Sequence, residues 1–365
     1  MISKITSPTL LLDKKKCLEN IKNMFEKAKR NNLTFRPHFK TPQSAIIGNW
    51  FREMGVNKIT VSSVKMAYYF ASNGWDDITI AFPFNILEVN DLNNLLQHTK
   101  INVLADDILT IRYLHNHLHK PAGVFIKIDT GYKRSGVNVE NIEYIKKLVR
   151  ELNHNSLLKF KGFLTHSGQM YDVSSKAEIL KIHNETIEKL LAIKNKFTNS
   201  DDLILSIGDT PSCSIADSFP GIDEIRPGNF VFYDIMQEQI GSCEFSQIAV
   251  TLACPVVSKN ADRNEIVVYG GGSHLSKEYI RRSSDNEKVF GYIVKFDANS
   301  WSEPIPDSYV CRLSQEHGIV KISDTEFQNI QIGDVIGILP VHSCLTANLM
   351  KKYLSLDGEV IPMMA

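Results

Sequence analysis

Between residues 33 and 226 the sequence alternates, eight times over, between a short apolar or β-branched run and a longer polar or helix-patterned stretch. The runs are 33–40 (LTFRPHFK), 58–62 (KITVS), 77–82 (DITIAF), 101–105 (INVLA), 123–129 (GVFIKID), 158–165 (LKFKGFLT), 202–207 (DLILSI) and 222–226 (IDEIR). Helical stretches fill the gaps, for example 85–98, 138–153 and 174–197. In the last of these Ile179, Leu180, Ile187, Leu190 and Leu191 recur at helical spacing, and His183 fills the missing turn as a core-edge histidine with its own hydrogen bond. Eight strands, each joined to the next by a helix, predict a parallel (β/α)8 barrel of the TIM type. The rival is a doubly wound sheet, which places a glycine-rich turn after its first strand. The stretch "HFKTPQ" has no glycine.

Past residue 235 the texture changes. "IAVTLACPVVS", "NEIVVYGGGSH", "KVFGYIV", "DSYVCRLSQEHGIVKI" and "GDVIGILPVH" read as short strands parted by turn residues. A chain of 365 residues exceeds one ordinary core. The expected division is a barrel over 1–234, whose first residues are free to join the other domain, and a mostly β domain over 235–365. Lys plus Arg equals Asp plus Glu at 41 each, which gives no support to a nucleic-acid or membrane-surface partner. No apolar run approaches a membrane span, and "MISKITSPTLLLDKKK" lacks the apolar core of a signal peptide. The six cysteines, at 17, 213, 243, 254, 311 and 344, form no C-x-x-C pair. That pattern fits a reducing cytoplasmic setting better than a disulfide framework or a zinc ribbon.

In such barrels the active site forms where the strands end, so the residues after each run are a functional test. Run one ends at Lys40-Thr41, and run five continues into "DTGYKRSGV" (129–137). Run six leads to "THSGQMYD" (165–172), run seven to "SIGDTPS" (206–212) and run eight to "RPGNFVFYD" (226–234). Glycine followed by Asp-Thr-Pro-Ser at the opening of a helix offers bare backbone N–H groups and a positive dipole end, which suit an anion. The plainer reading is an ordinary N-cap; position on the rim raises the anion reading to equal standing. Arg36, His38 and Lys40 alternate along an extended chain and so share one face. A lysine becomes a nucleophile when neighbouring cations and low dielectric weaken its hold on the proton, and Arg36 and His38 are the neighbours on offer. A strand-end lysine facing a phosphate site is the arrangement expected for a pyridoxal 5'-phosphate (PLP) Schiff base.

The set "RPHFKT", "KIDTGYKRSGV", "LTHSGQMY", "SIGDTPS", "EIRPGNFVFYD", "LSQEHG" and "PVHSCLTANL", in order from residue 36 to 349, resembles the D-serine dehydratase and D-threonine aldolase family, fold-type III PLP enzymes related to alanine racemase. The resemblance implies a barrel that carries the cofactor and a C-terminal β domain. It makes Lys40 the Schiff-base lysine and places Arg134 near the phenolic oxygen. His166 lies by the ring, Tyr171 is a cofactor contact, and the Gly208-Asp209-Thr210 loop holds the phosphate with Tyr233 nearby. Many relatives carry a hydroxyl residue where this chain has Asp209. A carboxylate repels a phosphate, so Asp209 is expected to contribute its N–H and turn its side chain away. A homodimer is implied as well.

His342 and Cys344 follow a strand-like run, and in an extended chain they point to the same side. Imidazole plus thiolate suits zinc, with manganese as the other candidate, and two protein ligands leave open positions. A bare H-x-C is usually a buried cysteine beside an unrelated histidine; the resemblance reverses this, because a metal pair sits here in the eukaryotic-type D-serine dehydratases. The aldolase branch tends to show aspartate at the position of Cys344, which puts dehydration first. His317 in "QEHG" is a turn histidine or a neighbour of the metal, and "GGGSH" before His274 reads as a turn for close backbone approach. The expected activity is a PLP- and metal-dependent lyase acting on D-β-hydroxy amino acids, most simply D-serine dehydration to pyruvate and ammonia. The alternatives are D-threonine aldol cleavage to glycine and an aldehyde, or a non-catalytic PLP homeostasis protein.

Overall fold

The computed structural model describes residues 2–154, 156–198, 200–297 and 300–365. Two compact units divide the chain: Lys22–Gly228, and Met1–Ile21 together with Asn229–Ala365.

In the first unit eight parallel strands run in the order Thr34–Phe35, Glu224–Ile225, Ile204–Ile207, Leu158–Leu164, Ala122–Asp129, Lys100–Ala105, Asp77–Pro83 and Ile59–Val61. The circle closes between the last and the first, where His38 bridges Thr60 in parallel. Thr60 N–H donates to Pro37 O at 2.9 Å and Phe39 N–H to Thr60 O at 2.8 Å. The (β/α)8 fold class is therefore present, with a difference at its first strand. The expected run 33–40 is regular only over Thr34–Phe35, because Pro37 has no N–H to give a ladder. The other runs fall within a few residues of expectation, and the helices Ile142–Asn153 and Lys176–Lys194 lie inside the stretches read as helical.

Leu104, Phe125 and Leu164, from three adjacent strands, form a buried apolar cluster joined by Ala81 and Ile204. Phe39 is fully buried among Phe51, Phe70 and Trp75, with ring centroids 5.0, 4.9 and 5.1 Å away. Such a side chain is worth roughly 1.5–3 kcal/mol of transfer free energy, and it pins the residue just before Lys40. His183 is buried, bonds Ser218 O at 3.0 Å and meets the edge of Phe219, as its place in the helical pattern predicted. Gly162 has φ +132, and an added Cβ would lie 2.1 Å from Ile204 O; only glycine passes there.

The second unit is a nine-stranded, mostly antiparallel sheet. Its order is Glu265–Tyr269, His317–Lys321, Tyr309–Leu313, Gly291–Val294, Val335–Pro340, Val250–Asn260, Thr9–Leu12, Lys352–Ser355 and Val360–Pro362. Glu265–Tyr269 also pairs with Val250–Asn260, which curls the sheet upon itself. The N-terminal strand joins this unit: Thr9 faces Ala253 antiparallel, and Leu11 faces Leu354 parallel. Gly271 lies so close to the chain opposite that a Cβ would sit 2.4 Å from Gln315 O, the close approach read from "GGGSH".

Candidate active site

The C-terminal ends of the barrel strands gather cations. His38 feels the charges of Lys40, Arg226, His166 and Arg134, and His166 feels Lys40, Arg134 and Arg226. Burial, reinforced by these cations, pushes His38 well below its ordinary value and His166 down to about 3, so both imidazoles are neutral at physiological pH. His166 Nδ1 lies against Gly208 O, its ring 5.9 Å edge-on from Tyr132 and 6.4 Å from Tyr171. Tyr171 is half-buried on the turn Gly168–Asp172. Arg134 is exposed, with its guanidinium 5.0 Å from the Tyr132 ring. Lys40 is exposed, its backbone N–H pointing at His38 Nδ1 at 3.3 Å.

Arg36 corrects the sequence reading. It does not face Lys40. Its guanidinium is buried, 2.6 Å from Glu224 and 2.6 Å from Asp77. Burial opposes its charge, but the two carboxylates outweigh burial and raise its affinity for the proton. Breaking such a pair costs about 3–5 kcal/mol, because it strands a buried charge; Arg36 is a fastener between barrel strands. The cation that the residue pattern did not single out is Arg226. It donates Nε to Ser206 Oγ at 2.7 Å and Nη2 to Thr165 O, and burial lowers it to about 10. Its signal was legible: Glu224 and Arg226 alternate along the eighth run and share a face. Lys127 was missed as well. Burial, with Arg134 and Arg226 nearby, lowers it to about 8, and it donates to Ser135 Oγ at 2.6 Å.

The seventh strand ends at Ile207, Gly208 follows, and Asp209 caps the short helix Thr210–Ile215 by accepting Ser212 N–H at 2.7 Å. The carboxylate is turned back into its own helix, as anticipated, and burial raises it to about 6. A carboxyl whose folded pKa lies above its unfolded value, near 3.8, supports the fold below about pH 4 and loses that support as pH rises through 6. Asn caps equally well and carries no charge. Asp209→Asn in cofactor-free protein is therefore expected to melt like the wild type near pH 4 and at higher temperature by pH 7.5, by up to about 3 kcal/mol; a pH series of thermal melts measures the difference. Taking the difference removes the opposite slope from His166, whose depressed pKa gives stability above about 6.5 and loses it as pH falls.

In the β unit His342 stands just before the helix Ser343–Met350, without a side-chain bond to its free N–H groups. The chain there is not extended through Cys344, as the sequence suggested; Cys344 lies in the first helical turn. The two side chains nonetheless meet in a hydrogen bond. Burial works against a charged imidazole, but Cys344, with Asp234 and Glu278, outweighs it and lifts His342 to about 9. Behind the pair Asn229 Nδ2 lies 2.6 Å from Asp234 Oδ2, 3.1 Å from Ser343 Oγ and 3.5 Å from Cys344 Sγ. Tyr233 belongs to this unit, is buried, and holds a left-handed φ of +51 with its N–H on Asn229 O at 2.8 Å. A bulky residue in that conformation is an outlier of the kind that clusters at functional sites. His317 is exposed at the start of its strand, opposite Tyr269. His274 sits 3.7 Å from Glu316.

A phosphorylated aldehyde needs an amine and an excess of positive charge. Lys40 with Arg134 and Arg226, beside two neutral imidazoles and a carboxyl that faces away, meets both needs. A divalent ion needs soft or borderline donors. Among the described residues no group of three or more His, Cys, Asp or Glu side chains is placed to hold one. The imidazole and thiol of His342 and Cys344 offer two, and the neighbouring Asn229 Oδ1 is a buried acceptor without a hydrogen-bond partner. Both groups fit.

A closed parallel barrel with a cationic mouth, followed in sequence by an antiparallel β unit, defines the alanine racemase-like class of fold. The chain belongs to the family of the alanine racemase N-terminal domain, whose model matches residues 12–235, and carries a putative serine dehydratase domain over 249–356. It is 29% identical to the D-serine dehydratase of Dictyostelium discoideum over 99% of this chain and 96% of that one. It is 26% identical to the D-threo-3-hydroxyaspartate dehydratase of Delftia sp. (strain HT23), over 98% and 96%. The solved structure of the Delftia enzyme superposes with a TM-score of 0.90 at 23% identity, covering 100% of this chain and 98% of that one; a cysteine-to-alanine mutant of D-threo-3-hydroxyaspartate dehydratase has been solved in a metal-free form. Among the described residues no helix is long and apolar enough to cross a membrane.

Proposed function

We propose that the protein is a PLP- and divalent-metal-dependent lyase that dehydrates a D-β-hydroxy amino acid, D-serine first among them. The observation that carries this reading is the gathering of Lys40, Arg134, Arg226, His38 and His166 at the strand ends, in a chain whose dehydratase relatives match it over nearly all its length. The cofactor, when bound, supplies an electron sink for charge developing at Cα, and the cation supplies Lewis acidity toward the leaving hydroxyl.

The chain's own groups do the rest. Lys40 Nζ would hold the cofactor's aldehyde carbon and, when free, would take the Cα proton as general base. Gly208, Asp209 and Thr210 would offer backbone N–H groups to the phosphate, while the Asp209 side chain stays on Ser212. Arg134 serves the phenolic oxygen. His166, neutral and held by Gly208 O, would flank the ring without adding charge, and Tyr171 and Tyr233 would be further contacts. His342 and Cys344 hold the cation; thiolate favours zinc over manganese. The protein acts as a homodimer in the cytoplasm.

The test is product identity. Incubation with D-serine is expected to yield pyruvate and ammonia, and chelation is expected to stop it. D-Threonine giving acetaldehyde and glycine, with no ketoacid from either substrate, would turn the assignment to an aldolase. Tight cofactor binding without turnover of any D-amino acid would turn it to PLP homeostasis.

A further inference from the structure

Resting on the reading of His342 and Cys344 as a metal pair, we propose that Asn229 is a positioning residue for that pair: its side-chain amide hydrogen-bonds the Cys344 sulfur and, with Asp234, holds the two ligands in one frame. Asn229 is 7% exposed. Its Nδ2 lies 3.5 Å from Cys344 Sγ, 3.1 Å from Ser343 Oγ and 2.6 Å from Asp234 Oδ2. Two hydrogens are thus shared among three acceptors.

The direction of the amide follows from electrostatics. Reversed, Asn229 would set its oxygen against the Asp234 carboxylate at that short distance, oxygen against oxygen. So Nδ2, not Oδ1, faces the sulfur, and Oδ1 is left as the buried acceptor without a partner. Asp234 is itself buried and fixed. Its Oδ1 caps the helix Ile235–Gln239 through Gln237 N–H at 3.0 Å, and its Oδ2 takes Ser343 N–H at 2.9 Å and Ser343 Oγ at 3.2 Å.

Ser343 is the residue between the two ligands. Gripping its amide and hydroxyl sets the angle between the His342 and Cys344 side chains, and the amide of Asn229 occupies one side of the sulfur. Partners that orient ligands in this way typically carry 10–100-fold in metal affinity.

The experiment measures zinc affinity of the PLP-loaded protein against a chromophoric chelator. It also records the sulfur-to-cobalt charge-transfer band after cobalt replaces zinc. Asn229→Leu keeps the shape without the donor. Asn229→Ser, whose hydroxyl is too short to span both Asp234 and the sulfur, stands in if the buried leucine prevents folding. The expected result is about a 10–100-fold loss of zinc affinity, a displaced or weakened cobalt band, and an unchanged cofactor absorbance. Wild-type affinity and an unchanged band in the folded variants, even with a lowered melting temperature, overturn the proposal while leaving the metal pair standing. A cobalt band that survives Cys344→Ala overturns the metal pair and the proposal with it.

Discussion

Lys40→Ala is expected to leave a folded protein that no longer holds PLP covalently and turns over D-serine about a thousandfold more slowly or worse. The size follows from what is lost: the attachment point and the base at Cα, the second alone worth about 100–10,000-fold. The fold should tolerate the change, because the Lys40 side chain is exposed while Phe39 beside it, fully buried among three rings, does the anchoring. The readouts are independent. Borohydride reduction and peptide mapping should mark the peptide containing Lys40 in the wild type and nothing in the variant, and a small primary amine added to the variant should restore part of the turnover. A reduced label on another lysine, Lys127 being the other amine among these cations, would move the whole chemical assignment.

Removal of the cation should have the second largest effect and a different signature. Cys344→Ala, His342→Ala and chelation of the wild type are each expected to suppress dehydration by orders of magnitude and to leave the cofactor's absorbance and its borohydride label intact. Combining the two substitutions should be little worse than either, since groups that act as a unit are not additive. Zinc added back to chelated wild type should restore activity, and zinc added to Cys344→Ala should not. D-serine turnover that persists through chelation would remove the cation from the account while leaving Lys40 untouched.

Much of the architecture was legible because it is periodic. Seven of the eight barrel strands and the long helices lie where apolar spacing put them, as pattern is a local property that tertiary packing reinforces. The first run misled for an equally local reason. Pro37 ends the ladder after Phe35, and the alternation that should have put Arg36 beside Lys40 does not persist through it. Arg36 instead found Glu224 and Asp77, 188 and 41 residues away along the chain, partners that no spacing rule supplies. The H-x-C motif was read on the wrong backbone: a helix start, not an extended chain, brings His342 and Cys344 together.

The sequence by itself determined the order of elements and the fold class, since residue type and period are written along the chain. The tertiary structure alone decided which cations share the barrel mouth, which one is spent on a buried ion pair, and which amide stands behind the cysteine. Those choices depend on burial and on contacts between residues far apart in the chain, and both exist only once the chain has closed on itself.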